Sequence, residues 1–211
     1  LRHPVPIVQR IQQMVLEHGR VINDSILSVD TLLNHRIDYT FSAYCGDALA
    51  RLVKGQPVDV ILTAEASGIS VAVFMAIVMN NEQWPHPAAV VFAKKSRPVT
   101  LGEDGFYMVE SYSRTKERPV QLFLGKHVIA PGAQVFIVDD FMARGTTMAA
   151  LGDLVLRAGA QIVGFGAVIE KTFENGRLEL QRFASPVHSL VQVTSLAGGQ
   201  IHLAARPEEI E

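Results

Sequence analysis

The 211-residue chain has a single cysteine, Cys45. An intrachain disulfide and a paired-cysteine zinc site are therefore both excluded. The thiol lies in an apolar stretch and reads as a small buried hydrophobe. None of the seven histidines stands four residues from another, so no histidine-built metal site is expected on a helix. Charge is sparse at 19%, and 19 basic residues face 21 acidic ones for a net −2. That balance lacks the basic footprint of a nucleic-acid-wrapping protein. Long hydrophobic runs are also missing. The two longest, Ile69–Met79 and Ile162–Ile169, fall short of the roughly 18 residues a spanning helix needs, so no membrane contact is expected. Leu1–Arg10 lacks the apolar centre of a secretion signal. Asn23-Asp24-Ser25 is therefore taken as a chance match to a glycosylation acceptor, and the expected compartment is the cytoplasm. Leu1 is not a start methionine, which leaves a missing true N-terminus open. No repeat, low-complexity stretch or linker divides the chain, so residues 1–211 are read as one domain.

What the chain does have is apolar content, 48% of its residues, with a mean hydropathy of +0.21. A chain of this length can bury a core of that size without covalent staples. Ile7–His18 carries a helical apolar stripe ended by Gly19. Val21–Asp38 mixes polar and apolar residues and reads as irregular structure with short strands. Phe41–Lys54 and Ile69–Asn80 read as helices. Lys94–Tyr107 holds Pro98, Gly102 and Gly105 and reads as a loop or hairpin. Thr146–Ala158 has Leu151, Leu154, Val155 and Ala158 on one face, then Gly159. A short helix is expected near Glu179–Phe183. Between these lie apolar runs at Val58–Thr63, Ala88–Ala93, Pro119–Leu124, Gln134–Val138, Ile162–Ile169, Val187–Val193 and Gln200–Ala204. Apolar runs alternating with helices predict an α/β fold with a central, mostly parallel sheet flanked by helices. Ligands of such sheets bind outside the carboxyl ends of the strands.

One strand end stands out. Val135–Val138 delivers Asp139 and Asp140, then a small-residue loop, Ala143-Arg144-Gly145-Thr146-Thr147, opens a helix. A helix start supplies backbone N–H donors suited to a phosphate. The two threonines add hydroxyls, and Gly145 permits close approach. The acids accept hydrogen bonds from a diol. Acids and an anion cradle side by side suit a ribose 5-phosphate.

This segment resembles the phosphoribosyl-pyrophosphate motif of the type I phosphoribosyltransferases. Further blocks are similar to the bacterial xanthine branch of that family: Ile26–Asp38, Glu65–Ile69, Val90–Lys95, and Val168–Phe173 with Gly176-Arg177. Together they run in order from about Val21 to Val193. Two departures are visible. That branch usually has Asn-Gly-Gln-Ala where this chain has Arg144-Gly145-Thr146-Thr147, and an insertion near Asn81–Pro87 lengthens one connection.

The resemblance implies the type I fold with a small base-binding hood, formed by about residues 21–40 and the C-terminal strands. It implies transfer of a phosphoribosyl group to a purine base, xanthine first, with hypoxanthine/guanine or adenine as alternatives. A phosphoribosyl-pyrophosphate-sensing transcription regulator without catalysis is a further alternative; the few residues before the matching blocks and the charge balance speak against it. Asp139 and Asp140 would serve the ribose and catalysis. Ala143, Arg144, Gly145, Thr146, Thr147, Ser67, Gly68 and Lys94 would bind phosphoribosyl pyrophosphate. Leu27, Asn34 and Lys171 would contact the base. Xanthine carries oxo groups at positions 2 and 6, which suits a donor-only lysine and an amide N–H. Taken alone, Lys94 is a solvated loop charge, Asn34 a turn residue and Lys171 a strand-end surface lysine. Tyr112 and Lys116 would sit on a flexible loop over the substrate, although the same stretch reads equally as a solvated hairpin. Mg²⁺ would be held mainly by the substrate pyrophosphate, with no protein metal site. A homodimer is expected.

Overall fold

The computed structural model describes residues 6–81, 87–113 and 118–205. Lys116 and most of the Asn81–Pro87 insertion lie outside these. Helices are α1 (Ile7–His18), α2 (Tyr39–Leu52), α3 (Gly68–Asn81), α4 (Thr146–Arg157) and α5 (Gly176–Leu180). Strands are β1 (Arg20–Ile22), β2 (Ile26–Ser28), β3 (Val60–Ala64), β4 (Ala89–Ala93), β5 (Phe106–Ser113), β6 (Arg118–Gly125), β7 (Gln134–Met142), β8 (Gln161–Lys171), β9 (Val187–Ser195) and β10 (His202–Leu203).

Six strands form the main sheet in the order β10-β9-β8-β7-β3-β4. All neighbours are parallel except β10, which runs antiparallel to β9. The α/β expectation holds, and its cause is visible in β7. Successive side chains point to opposite faces of a strand. Phe136 and Val138 enter the core beneath α2 and α3. Val135 and Ile137 enter the second core, beneath α4. With both faces covered, the strand is apolar at every position from Val135 to Val138.

The helices begin and end where local chemistry dictates. Asp38 caps α2, its Oδ1 accepting from the Phe41 N–H at 3.0 Å. Gly145, with φ +75°, precedes α4, and Gly159, with φ +70°, follows it.

The structure differs from the sequence reading in four places. Phe106–Ser113 and Arg118–Gly125 pair as one antiparallel ladder, β5–β6, tied to the end of β4 by a Lys94–Phe123 bridge. The run Lys94–Tyr107 therefore holds the start of a strand, which its polar, glycine-rich composition obscured. Second, β7 continues through Met142, so both acids are still in the strand. Third, the short late helix starts at Gly176 and passes into a 3₁₀ turn over Gln181–Phe183. Fourth, the late strands expected in the hood extend the main sheet instead. The turn after β9 reaches the β1–β2 ribbon through the Gly199 N–H, which donates to Asp24 Oδ1 at 2.8 Å, and Leu27 of β2 shares a core with Val191 and Val193 of β9. Cys45 is fully buried, and burial pushes its thiol up from the ordinary range.

Candidate active site

The carboxyl ends of β3, β7 and β8 open on one cleft of about 890 Å³. Leu27, Asn34, Ser67, Asp139, Asp140, Lys171 and the whole Ala143–Thr147 loop line it. Residues far apart in sequence thus meet because three parallel strands end side by side. Two expected members are placed differently. Gly68 starts α3 beneath the cleft, and a Cβ there would stand 2.2 Å from Thr63 Oγ1 and 3.4 Å from Asp139 Oδ1. Lys94 is engaged through its backbone N–H and C=O with Phe123, and Lys95 lines the cleft instead. The alternation of β4 explains this. Val91 and Ala93 face the α4 side, and the next residue in that rhythm is Lys95. Tyr112 lies in β5 opposite Pro119.

Asp139 is buried, with 7% of its surface exposed. Its carboxyl is pushed well above the usual carboxylate range, first by burial and then by the negative charge of Asp140. The Asp140 N–H donates to Asp139 Oδ1 at 3.0 Å. An acid whose folded pKa is raised costs no stability below its unfolded value. The cost accrues as pH climbs from there through the folded value. Asp139→Asn keeps the acceptor and removes the charge. It should raise Tm at pH 7, by about 2–4 °C for each kcal/mol recovered, and leave Tm unchanged below pH 4. A thermal melt at both pH values checks this; a lower Tm at pH 7 contradicts it.

Asn34 ties three segments together. Its amide donates to Ser67 Oγ at 2.9 Å and to Asp140 Oδ2 at 2.8 Å. The base-side turn, the loop after β3 and the acidic pair are thereby joined through one side chain.

The phosphate-type loop is set by two glycines packed backbone to backbone. A Cβ at Gly145 would stand 2.5 Å from Gly176 O, and one at Gly176 would stand 2.4 Å from Ala143 O. Gly145 and Thr146 then present the start of α4 to the cleft, where the positive end of the helix dipole favours an anion.

Lys171 ends β8. Its Nζ donates to Ser25 O at 3.0 Å and lies 3.6 Å from Glu174 Oε1. Glu174 itself is buried and also lies 3.9 Å from Arg144 Nε. The turn carrying Glu174 is fixed at its far side by Arg177. That guanidinium grips Glu170 through Nε at 2.9 Å and Nη2 at 2.8 Å, and donates to Val187 O at 2.7 Å. Glu170 also accepts from the buried Ser189 hydroxyl. Sequence reasoning chose Lys94 in place of Lys95 as a site residue and gave Glu174 and Gly176 no role in the site. Strand alternation could have found Lys95. Gly176 and the Glu174–Arg144 pair act through contacts that no local pattern reveals.

A parallel sheet whose strand ends gather an acidic pair, a glycine-set helix start and a lysine-bearing wall defines a phosphoribosyltransferase domain. The family model described as phosphoribosyl transferase domain matches residues 40–180. A xanthine phosphoribosyltransferase of Moorella thermoacetica is 39% identical over 196 residues, 92% of this chain and 95% of that protein. One of Chloroflexus aurantiacus is 38% identical over 206 residues, covering 97% and 91%. Among solved structures, an adenine phosphoribosyltransferase of Thermoanaerobacter pseudethanolicus superposes with a TM-score of 0.70 at 23% identity, covering 88% of this chain and 99% of that one. That likeness speaks for the fold. The chain belongs to the phosphoribosyltransferase family.

Proposed function

We infer that the protein is a purine-salvage pentosyltransferase that joins xanthine to phosphoribosyl pyrophosphate, forming xanthosine monophosphate and releasing pyrophosphate. The observation that carries this reading is the convergence of Leu27, Asn34 and Lys171 with the acidic pair and the Ala143–Thr147 loop in one cleft. Relatives that carry the xanthine name over nearly the whole chain support the choice of base.

The loop Ala143–Thr147 would hold the 5-phosphate, and Asp139 and Asp140 the ribose hydroxyls. Ser67, with its neighbours, and Lys95 would face the pyrophosphate. Leu27 would pack on the base and Lys171 would donate to one oxo group, while Asn34, whose two amide hydrogens go to Ser67 and Asp140, would release one of them to donate to the other. A donor-only lysine facing position 6 leaves an amino group badly paired, which disfavours adenine. The bond to the ribose loosens before the purine nitrogen closes on C1, so catalysis here is positioning and electrostatics.

Among the described residues, no group of three His, Cys, Asp or Glu side chains is placed to hold a metal ion. Carboxylates do line the cleft at Glu65, Asp139 and Asp140, which fits Mg²⁺ entering on the pyrophosphate. There it would neutralise charge on the leaving group. The β1–β2 ribbon and the turn to about residue 40 would form the hood over the base, and the stretch with Tyr112 and Lys116 would serve as the loop over the substrate. Val73 and Ile77 on α3 and Phe92 on β4 are exposed apolar side chains, a face suited to a second copy in a homodimer. The described residues include no helix long and apolar enough to cross a membrane; both substrates are water-soluble, and we place the enzyme in the cytoplasm.

A panel of purine bases with phosphoribosyl pyrophosphate and Mg²⁺, following nucleotide formed, tests the reading. Xanthine should give the highest kcat/KM. Product from adenine and none from xanthine would overturn it.

A further inference from the structure

Glu174 does not line the cleft, yet it lies beside two residues that do. Its carboxylate is 3.6 Å from Lys171 Nζ on the base side and 3.9 Å from Arg144 Nε on the phosphate loop. The two contacts are not equal. Side-chain exposure is 10% for Lys171, 5% for Glu174 and 62% for Arg144. An ion pair with one end in water contributes little, because solvent screens it. A pair removed from water is different, since each charge depends on the other to offset its lost hydration.

We propose that Glu174 is a positioning residue for base recognition: its buried carboxylate holds the Lys171 ammonium against the cleft wall and thereby sets the preference for an oxo over an amino group at purine position 6. The proposal rests on the xanthine reading above and adds to it the group that keeps the recognising lysine in place. Three features support it. Lys171 and Glu174 share one short turn, three residues apart, so their separation is fixed locally. That turn is anchored from the other side by the Arg177–Glu170–Ser189 network. The ammonium is held from a third direction by Ser25 O, on the ribbon that also contributes Leu27. A lysine so placed points where sheet, turn and ribbon meet. Without the carboxylate, a largely buried cation loses the charge held 3.6 Å from it. The ammonium is then no longer held at the cleft wall to favour an oxo group, and discrimination falls.

The test compares xanthine with 2-oxo-6-aminopurine, which differs from it only at position 6. In wild type, xanthine should be strongly preferred. Glu174→Gln should lower kcat/KM for xanthine by roughly 30-fold or more, mostly through KM, and collapse the preference between the two bases. KM for phosphoribosyl pyrophosphate should stay within about threefold of wild type, since the Arg144 contact is largely exposed. Equal losses with both bases in a folded variant would overturn the proposal and make Glu174 merely structural. Should Glu174→Gln not fold, Glu174→Asp carries the test. It keeps the charge but withdraws it by one methylene, and the preference should fall to an intermediate value. A full wild-type preference in that variant overturns the proposal. Failure of the underlying reading looks different: wild type itself would form no nucleotide from xanthine.

Discussion

Asp140→Asn should lower kcat for nucleotide formation by about a thousandfold, the middle of the range for losing a positioned acid–base group. The geometry explains why Asp140 is the more sensitive of the two acids. Asp139 is buried, and its carboxyl is held toward the neutral form by that burial and by its neighbour. Asp140 is only partly buried and accepts from the Asn34 amide at 2.8 Å. On the proposed reading it would stand at the junction of the base side and the sugar side, where the new bond would form. Asparagine keeps the shape and one acceptor, so the Asn34 contact survives, while the capacity to take a proton is lost. The fold should be indifferent, with stability changed by no more than about 0.5 kcal/mol. Steady-state rates paired with a thermal melt decide the matter. A kcat within a few-fold of wild type removes Asp140 from the chemistry. The contrast with Asp139→Asn is informative, because that change is expected to raise Tm at pH 7.

The second large effect is expected from a residue outside the loop it controls. Gly176→Ala should lower kcat/KM for phosphoribosyl pyrophosphate by about 100-fold, the penalty for a misplacement near 1 Å. The added Cβ would stand 2.4 Å from Ala143 O, 2.9 Å from Gly145 N and 3.0 Å from Met142 Cγ. Two of these are backbone atoms of the loop itself, which cannot swing away as a side chain can. Gly176 is not among the glycines with positive φ, so the substitution tests space and not torsion. Its effect should appear in the phosphate-bearing substrate first. The stability loss from overpacking should be about 1–3 kcal/mol, read from the denaturation midpoint. Unaltered kinetics would show that the loop adapts and that the glycine pair does not set it. Gly145→Ala combines a contact of 2.5 Å to Gly176 O with a φ of +75°, and is expected to be at least as damaging.

Much of this molecule is legible in its sequence because the decisive signals are local. The run Val135–Val138 followed by Asp139, Asp140 and a small-residue loop fixes strand, acids and helix start within fourteen residues, and the structure places them so. The alternation of apolar runs with helices predicts the parallel sheet, since only strands covered on both faces can be so uniformly apolar. Hairpin β5–β6 was harder to read, because its polar, turn-rich composition is what a solvated ribbon and a loop have in common.

The sequence by itself determined the class of fold, the position of the acidic pair and the start of α4, all of which depend on neighbours in the chain. Only the tertiary structure decided that Lys95 and not Lys94 lines the cleft, that Asn34 bridges Ser67 and Asp140, and that Gly176 backs the phosphate loop. It alone brought Glu174 between Lys171 and Arg144. The Asn34, Gly176 and Arg144 contacts share a physical reason: they join segments distant in sequence that meet at the ends of parallel strands joined by crossovers, and how two cores pack against the sheet sets them, which no spacing along the chain records. Lys95 and the Lys171–Glu174 pair do follow local spacing, and the tertiary structure decided only which cleft they serve.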